Sequence, residues 1–123
     1  MKLVNLTPHD IVFYDRDDSL LGGTLRLGAK PVKIVPPSGT ICRVSSTEGV
    51  TGMAVHGVPV CEKRFSYISG LPEPEQGTLY IVSAIVAIYA AQYLNRRDLV
   101  TVNELVRNGK GTVMGCCSLC RLV

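Results

Sequence analysis

Apolar and polar positions alternate with a period of two over several short stretches, and one longer stretch is apolar nearly all round. The first pattern predicts strands with one face inward, and the second a helix covered on more than one side. Residues 2–6 and 11–14 read as short strands joined by Asn5-Leu-Thr-Pro-His-Asp10. In that link Pro8 restrains Thr7, and the short polar side chains bond nearby backbone. Residues 15–19 and Leu21-Gly-Gly23 read as solvent-facing loop or hairpin. Leu25 and Leu27 alternate with Thr24 and Arg26, and Val32 and Ile34 with Lys33 and Val35, which gives strands ended by Pro36-Pro-Ser-Gly39. Residues 41–44 form another, with Arg43 facing away from Cys42 and Val44. Residues 50–61 are apolar but interrupted by Gly52, Gly57 and Pro59, the signature of an irregular or bulged edge strand. Phe65, Tyr67 and Ile68 close this β-rich part before a stiff, exposed loop at 70–77.

The centre of the pattern is residues 77–102. A β-favouring run at 79–82 leads to Ser83, a helix N-cap, and residues 84–94 contain no Gly or Pro. The chain returns through Arg96, Arg97 and Asp98 to a second strand ending near Val102. A crossover of about a dozen residues is what two parallel neighbouring strands require, and its right-handed form lays the helix on one face of the sheet. Asn108-Gly109 predicts a type I′ hairpin turn pairing 104–107 with 112–119, with a helical turn at 102–106 as the alternative. The expectation is one α+β domain over residues 1–123, a mixed and mostly antiparallel sheet with one main helix in a strand-helix-strand unit. The all-round apolar helix adds the expectation of a homo-oligomer.

Composition narrows the function classes. Apolar residues make up 46% and charged residues 19%, which excludes a disordered chain. The net charge of +3 comes without a basic block, and Trp is absent. Sequence-general nucleic-acid binding needs a broader basic surface, whereas a small anionic ligand does not. Five cysteines, three crowded near the end, and an N-terminus with only a short apolar run point to a reducing cytoplasm. Residues 79–94 fall short of the roughly 20 apolar residues of a membrane span, so a buried helix and no membrane contact are expected.

Several residues invite chemical roles beside plain structural ones. Ser83 and the backbone N–H groups of Ala84, Ile85 and Val86 form an anion site or merely a helix cap. No glycine-rich phosphate loop precedes them. Asn95, Arg96 and Arg97 clamp a phosphate, or they cap the helix with one Arg paired to Asp98. Arg43, Arg64 and Arg107 are further cations of the same type. His9 beside Asp10 is a general base or a turn residue, and His56 poses the same choice. Cys116-Cys-Ser-Leu-Cys120 lacks a second matched pair or a nearby His, so small core residues, and neither metal nor cofactor, are the expectation.

The series Asn5-Leu-Thr-Pro-His9, Pro36-Pro-Ser-Gly-Thr40 with Arg43-Val44, Gly70-Leu-Pro-x-Pro74, Gly77-Thr78-x-Tyr80-Ile-Val-Ser83, Arg97-Asp-Leu99 and Gly115-Cys116 resembles a family of small proteins from bacteriophages and bacteria. The match runs through most of the chain. Short phage accessory proteins of this kind include counter-defence factors that sequester cyclic nucleotide immune signals between subunits without cleaving them. That resemblance implies a non-catalytic binder of a small phosphorylated ligand in the host cytoplasm. Ser83 and Ala84 would hold a phosphate, Asn95, Arg96 or Arg97 would clamp it, and Phe65 or Tyr80 would stack on a base, with Arg43 and His9 as further contacts. This reading expects Ser83 and Arg96–Arg97 to border one cavity. The competing readings are a phage structural or protein-inhibitor protein, motivated by the apolar helix and residues 50–61, and a small hydrolase or nuclease using His9.

Overall fold

The computed structural model describes residues 1–123. Its strands are β1 (Lys2–Asn5), β2 (Ile11–Phe13), β3 (Leu20–Leu21), β4 (Thr24–Leu25), β5 (Lys33–Val35), β6 (Arg43–Val55), β7 (Val58–Ser69), β8 (Thr78–Ile81), β9 (Leu99–Arg107) and β10 (Val113–Cys120). Two helices, α1 (Arg16–Ser19) and α2 (Ala84–Tyr93), complete the α+β fold. The strand-helix-strand unit is present, with β8 parallel to β9 through Tyr80↔Leu99 and Ile81↔Val100. β1 adds in parallel on the other side of β8, from Lys2↔Thr78 to Asn5↔Ile81.

The main sheet runs β1-β8-β9-β10-β2-β5, with the β3–β4 hairpin attached to β9. It curls until its two ends nearly meet. No ladder joins β5 to β1, and Asn5, only 1% exposed, spans the gap. Its Nδ2 donates to Val35 O at 3.0 Å and to His9 O at 2.7 Å. Its Oδ1 accepts from Thr7 N at 2.9 Å and Thr7 Oγ1 at 2.7 Å. Beyond β5 the chain takes over the open edge, as Ser38 N donates to Asn5 O and Cys42 N to Leu6 O, both at 2.9 Å. A buried donor or acceptor left unpaired costs about 1–3 kcal/mol, so one side chain that satisfies this many partners acts as a clasp.

Strand alternation divides the core. Leu3, Leu79, Ile81 and Val100 gather with Val35 and Phe13 inside the curled sheet. Val4, Tyr80, Val82 and Leu99 point the other way, against Val86, Ala87 and Ala90 of α2. Ser83 caps the helix, its Oγ accepting from Val86 N at 3.4 Å. At the other end Asn95 takes φ 51°, the left-handed conformation that Asn tolerates after a helix. Only one side of α2 is covered; Ile85, Ile88 and Tyr93 are exposed.

Four expectations need correction. Residues 15–19 are not a loop: Asp15 caps α1 by accepting from Asp17 N and Asp18 N. Leu27 lies beyond its strand and is fully exposed. The turn after β9 is not type I′ at Asn108-Gly109, because the left-handed residue is Gly111 and the Asn108 side chain accepts from Lys110 N and Thr112 N. Residues 50–61 are not an edge strand but the two arms and tip of a hairpin. His56 (φ 52°) and Gly57 (φ 77°) supply the two positive φ values of its turn, and the expected bulge sits between Val50 and Met53.

That hairpin, β6–β7, is a separate two-stranded sheet. Its root is anchored, with Val44 and Ile68 against the core under α2 and Tyr89 Oη donating to Ser66 O at 2.9 Å. From Ser46 to Tyr67 every residue except Thr51 is exposed.

Asn5→Ala is expected to lower stability by about 3 kcal/mol, since Val35 O and Thr7 N lose partners in a closed space. Asn5→Asp should cost at least as much, because a carboxylate cannot donate to Val35 O and His9 O. Urea unfolding of the three proteins checks this, and a loss below about 1 kcal/mol for both variants would deny Asn5 the role of clasp.

Candidate functional site

Ser83 and Arg96–Arg97 do not border one cavity. They flank opposite ends of α2, a helix roughly 15 Å long. Two separate surfaces result.

The first is a crevice of about 280 Å³ at the amino end of α2, lined by Pro8, Cys42, Arg43, Ser83 and Ile85 among others. It lies beyond the carboxyl ends of the parallel strands β1 and β8, where the first free N–H groups of α2 carry partial positive charge. Arg43, at the start of β6, is exposed beside them. Thus Arg43, Ser83 and Ala84 form a neighbourhood suited to a small anion. Cys42 forms part of its floor, and burial pushes its thiol pKa up, which makes it a poor nucleophile.

The second is a broad, polar hollow at the carboxyl end of α2, lined by Pro74, Glu75, Gly77, Asn95, Arg96, Arg97 and Asp98. Arg96 is committed inside the fold. It donates through Nε to Asp98 Oδ1 at 2.8 Å and through Nη2 to Asp98 Oδ2 at 2.7 Å and Pro72 O at 2.9 Å. With the two side chains only 15% and 17% exposed, this is a structural fork that ties the 70–77 loop to the start of β9. Arg97 is exposed, and Asn95 serves as the left-handed helix terminator.

The stacking candidates part company too. Tyr80 is 4% exposed, sandwiched under α2 with its hydroxyl donating to Glu73 O, and offers no face to a base. Phe65 is exposed on β7 but lines neither surface. His9 contributes its backbone carbonyl to the Asn5 clasp, and it also lines a third, apolar crevice with Ile11, Val102, Leu105, Met114 and Cys116. The Cys116 thiol is pushed up by burial, so this His–Cys neighbourhood lacks an activated nucleophile. No group of three or more His, Cys, Asp or Glu side chains is positioned to hold a metal, and no helix is long and apolar enough to cross a membrane.

One feature escaped sequence reasoning. Glu104 adopts φ 54° in the middle of β9, and its carboxylate accepts from Arg16 of α1 and, at 3.1 Å, from Ser118 Oγ. A left-handed non-glycine residue inside a strand marks an irregularity held by its surroundings. Nothing in the run Asn103-Glu-Leu105 signals it.

Compared with family models, curated proteins and solved structures, the chain matches none.

The Arg96 guanidinium holds the Asp98 carboxyl below the usual carboxylate range. Its stabilisation is complete above the unfolded-chain value of about 3.9 and is lost as pH falls through the lowered folded value. The Tm of the native protein should therefore fall more steeply below about pH 4 than that of Asp98→Asn, with superimposable acid limbs as the contrary result. At neutral pH, Asp98→Ala is expected to cost about 2–4 kcal/mol by leaving Arg96 unpaired in a mostly enclosed site.

Proposed function

We propose that this chain is a non-catalytic interaction protein that works as a homo-oligomer, with the β6–β7 hairpin as its binding arm and a second copy of the chain as the partner. The observation that supports this most is the arm itself. Residues 49–61 contain no Asp, Glu, Lys or Arg, and Met53, Val55, Val58 and Val60 are exposed there. An isolated two-stranded ribbon is marginal in water, and one that gathers these four apolar side chains on a single face, as the pairs Met53↔Val60 and Val55↔Val58 do, gains stability when something covers that face. The Glu48–Lys63 pair, 3.7 Å apart, forms a charged neck between this uncharged tip and the anchored root. Apolar tip and charged neck give the arm the layout of an interface with a dry centre and a polar rim.

Sedimentation of the full chain at tens of micromolar tests the reading. The expected mass is a multiple of 13.3 kDa, and replacing residues 50–61 with a short Asn-Gly turn should give a folded monomer. A full chain that stays monomeric throughout would overturn it.

A second reading, sequestration of a small phosphorylated ligand such as a cyclic nucleotide, is favoured by the meeting of Arg43 with the free amides of α2 in the Ser83 crevice. Its residues are Arg43, Ser83 and Ala84, with Arg96 and Tyr80 withdrawn because both are used within the fold. Calorimetry against a panel of cyclic nucleotides is expected to find one that binds and whose affinity drops about tenfold or more in Arg43→Ala, given the 1.5–3 kcal/mol of a charge-assisted bond. Absence of binding across the panel, or an unchanged affinity in Arg43→Ala, removes this reading.

A further inference from the structure

Two exposed apolar surfaces on one chain lack a cover, and each has what the other needs. α2 contains no charged residue, and its outer side presents Ile85 and Ile88 at 45% and 56% exposure. The arm tip is likewise uncharged and presents Met53, Val55, Val58 and Val60. We infer that the tip of the arm of one copy lies across the outer face of α2 of a second copy, and that the exchange is reciprocal. This rests on the homo-oligomer reading above and adds the place where the copies meet.

Three observations support the choice of a second copy and of α2. The arm does not cover its own helix: Tyr89 of α2 holds the root at Ser66, yet Met53, Val55, Val58 and Val60 at the tip and Ile85 and Ile88 on α2 all remain exposed. Ten residues of strand reach roughly 30 Å beyond the root, about twice the length of α2, so the tip is long enough to cross a neighbour's helix. The charges agree as well. Glu48, Glu62, Lys63 and Arg64 all lie at the neck, so the segment laid on the uncharged helix is itself uncharged and no ion is buried without a partner.

The area is also adequate. Met53↔Val60 and Val55↔Val58 are directly opposite pairs two residues apart, so these four side chains share one face of the tip, and Ile85 and Ile88 are their counterparts on α2. At roughly 60–100 Å² each, the six side chains provide on the order of 360–600 Å² of apolar area per copy, which at an apolar share of about 65% corresponds to roughly 550–900 Å² in all, against about 800 Å² per partner in a standard interface. A reciprocal exchange uses both surfaces of both copies, which closes the assembly as a two-fold dimer and leaves neither surface to propagate.

The test uses the full chain with a photo-reactive benzoylphenylalanine at Val58, mixed in equal amounts as unlabelled and ¹⁵N-labelled protein and irradiated. The expected product is a mixed-isotope cross-link from residue 58 to a site within 84–93. A mixed-isotope cross-link to the arm of the other copy instead would overturn this inference and leave the homo-oligomer reading standing, because the arms would then pair edge to edge. A protein that remains monomeric and gives only same-isotope products would remove both. Ile88→Asp supplies the second measurement, on a position exposed enough to leave the fold intact. Self-association should weaken at least tenfold with an unchanged circular dichroism spectrum, whereas an unchanged dissociation constant would overturn the placement on α2.

Discussion

The buried amide of Asn5 bridges the one gap in the curled sheet. Between β5 and β1 there is no strand ladder, and the Asn5 side chain bonds to backbone on both sides of that gap. The consequence reaches past the gap itself. With Asn5 in place, the segment after β5 runs close enough for Ser38 and Cys42 to bond the edge of β1, and Cys42 enters the core beneath α2. Cys42 is followed at once by Arg43 and the root of the arm. The clasp therefore fixes both the Ser83 crevice and the place from which the arm departs.

The molecule separates into a part whose polar groups are satisfied and a part whose apolar groups are not. No buried side-chain nitrogen or oxygen lacks a hydrogen-bond partner, and the Arg96–Asp98 fork shows how fully the interior polar groups are used. The unmet demand lies outside, on the arm and the outer side of α2. A nearly closed base with its polar groups paired thus carries a long ribbon whose apolar tip is left in water.

What could be read from the chain beforehand follows the range of the interactions involved. The β8-α2-β9 unit was legible because its signals are local: the 79–82 run, the Ser83 cap and a Gly-free, Pro-free helix of crossover length. The clasp was half legible. Asn5 reads as a turn residue and does bond Thr7 as one, but its reach to Val35 depends on where a distant strand ends. The arm was misread because His56-Gly57 is an uncommon pair for a tight hairpin turn, and Gly52 and Pro59 nearby look like breaks in one strand. The shared-cavity expectation for Ser83 and Arg96–Arg97 failed for a geometric reason, since residues that flank a helix in sequence lie at its two ends in space. Arg43 was named as a minor candidate, and its place beside Ser83 depends on the clasp, which no local pattern records.

The pairing of β1 with β8 has a kinetic consequence. The amino-terminal strand has no neighbour on the sheet until the far half of the chain has been made, so closure is a non-local and comparatively slow event. The β6–β7 ribbon, by contrast, joins residues close in sequence and can zip up early around its His56-Gly57 turn. On the ribosome the arm can thus pair before the base that carries it closes, so its apolar tip faces water while the amino-terminal strand still waits for its neighbour.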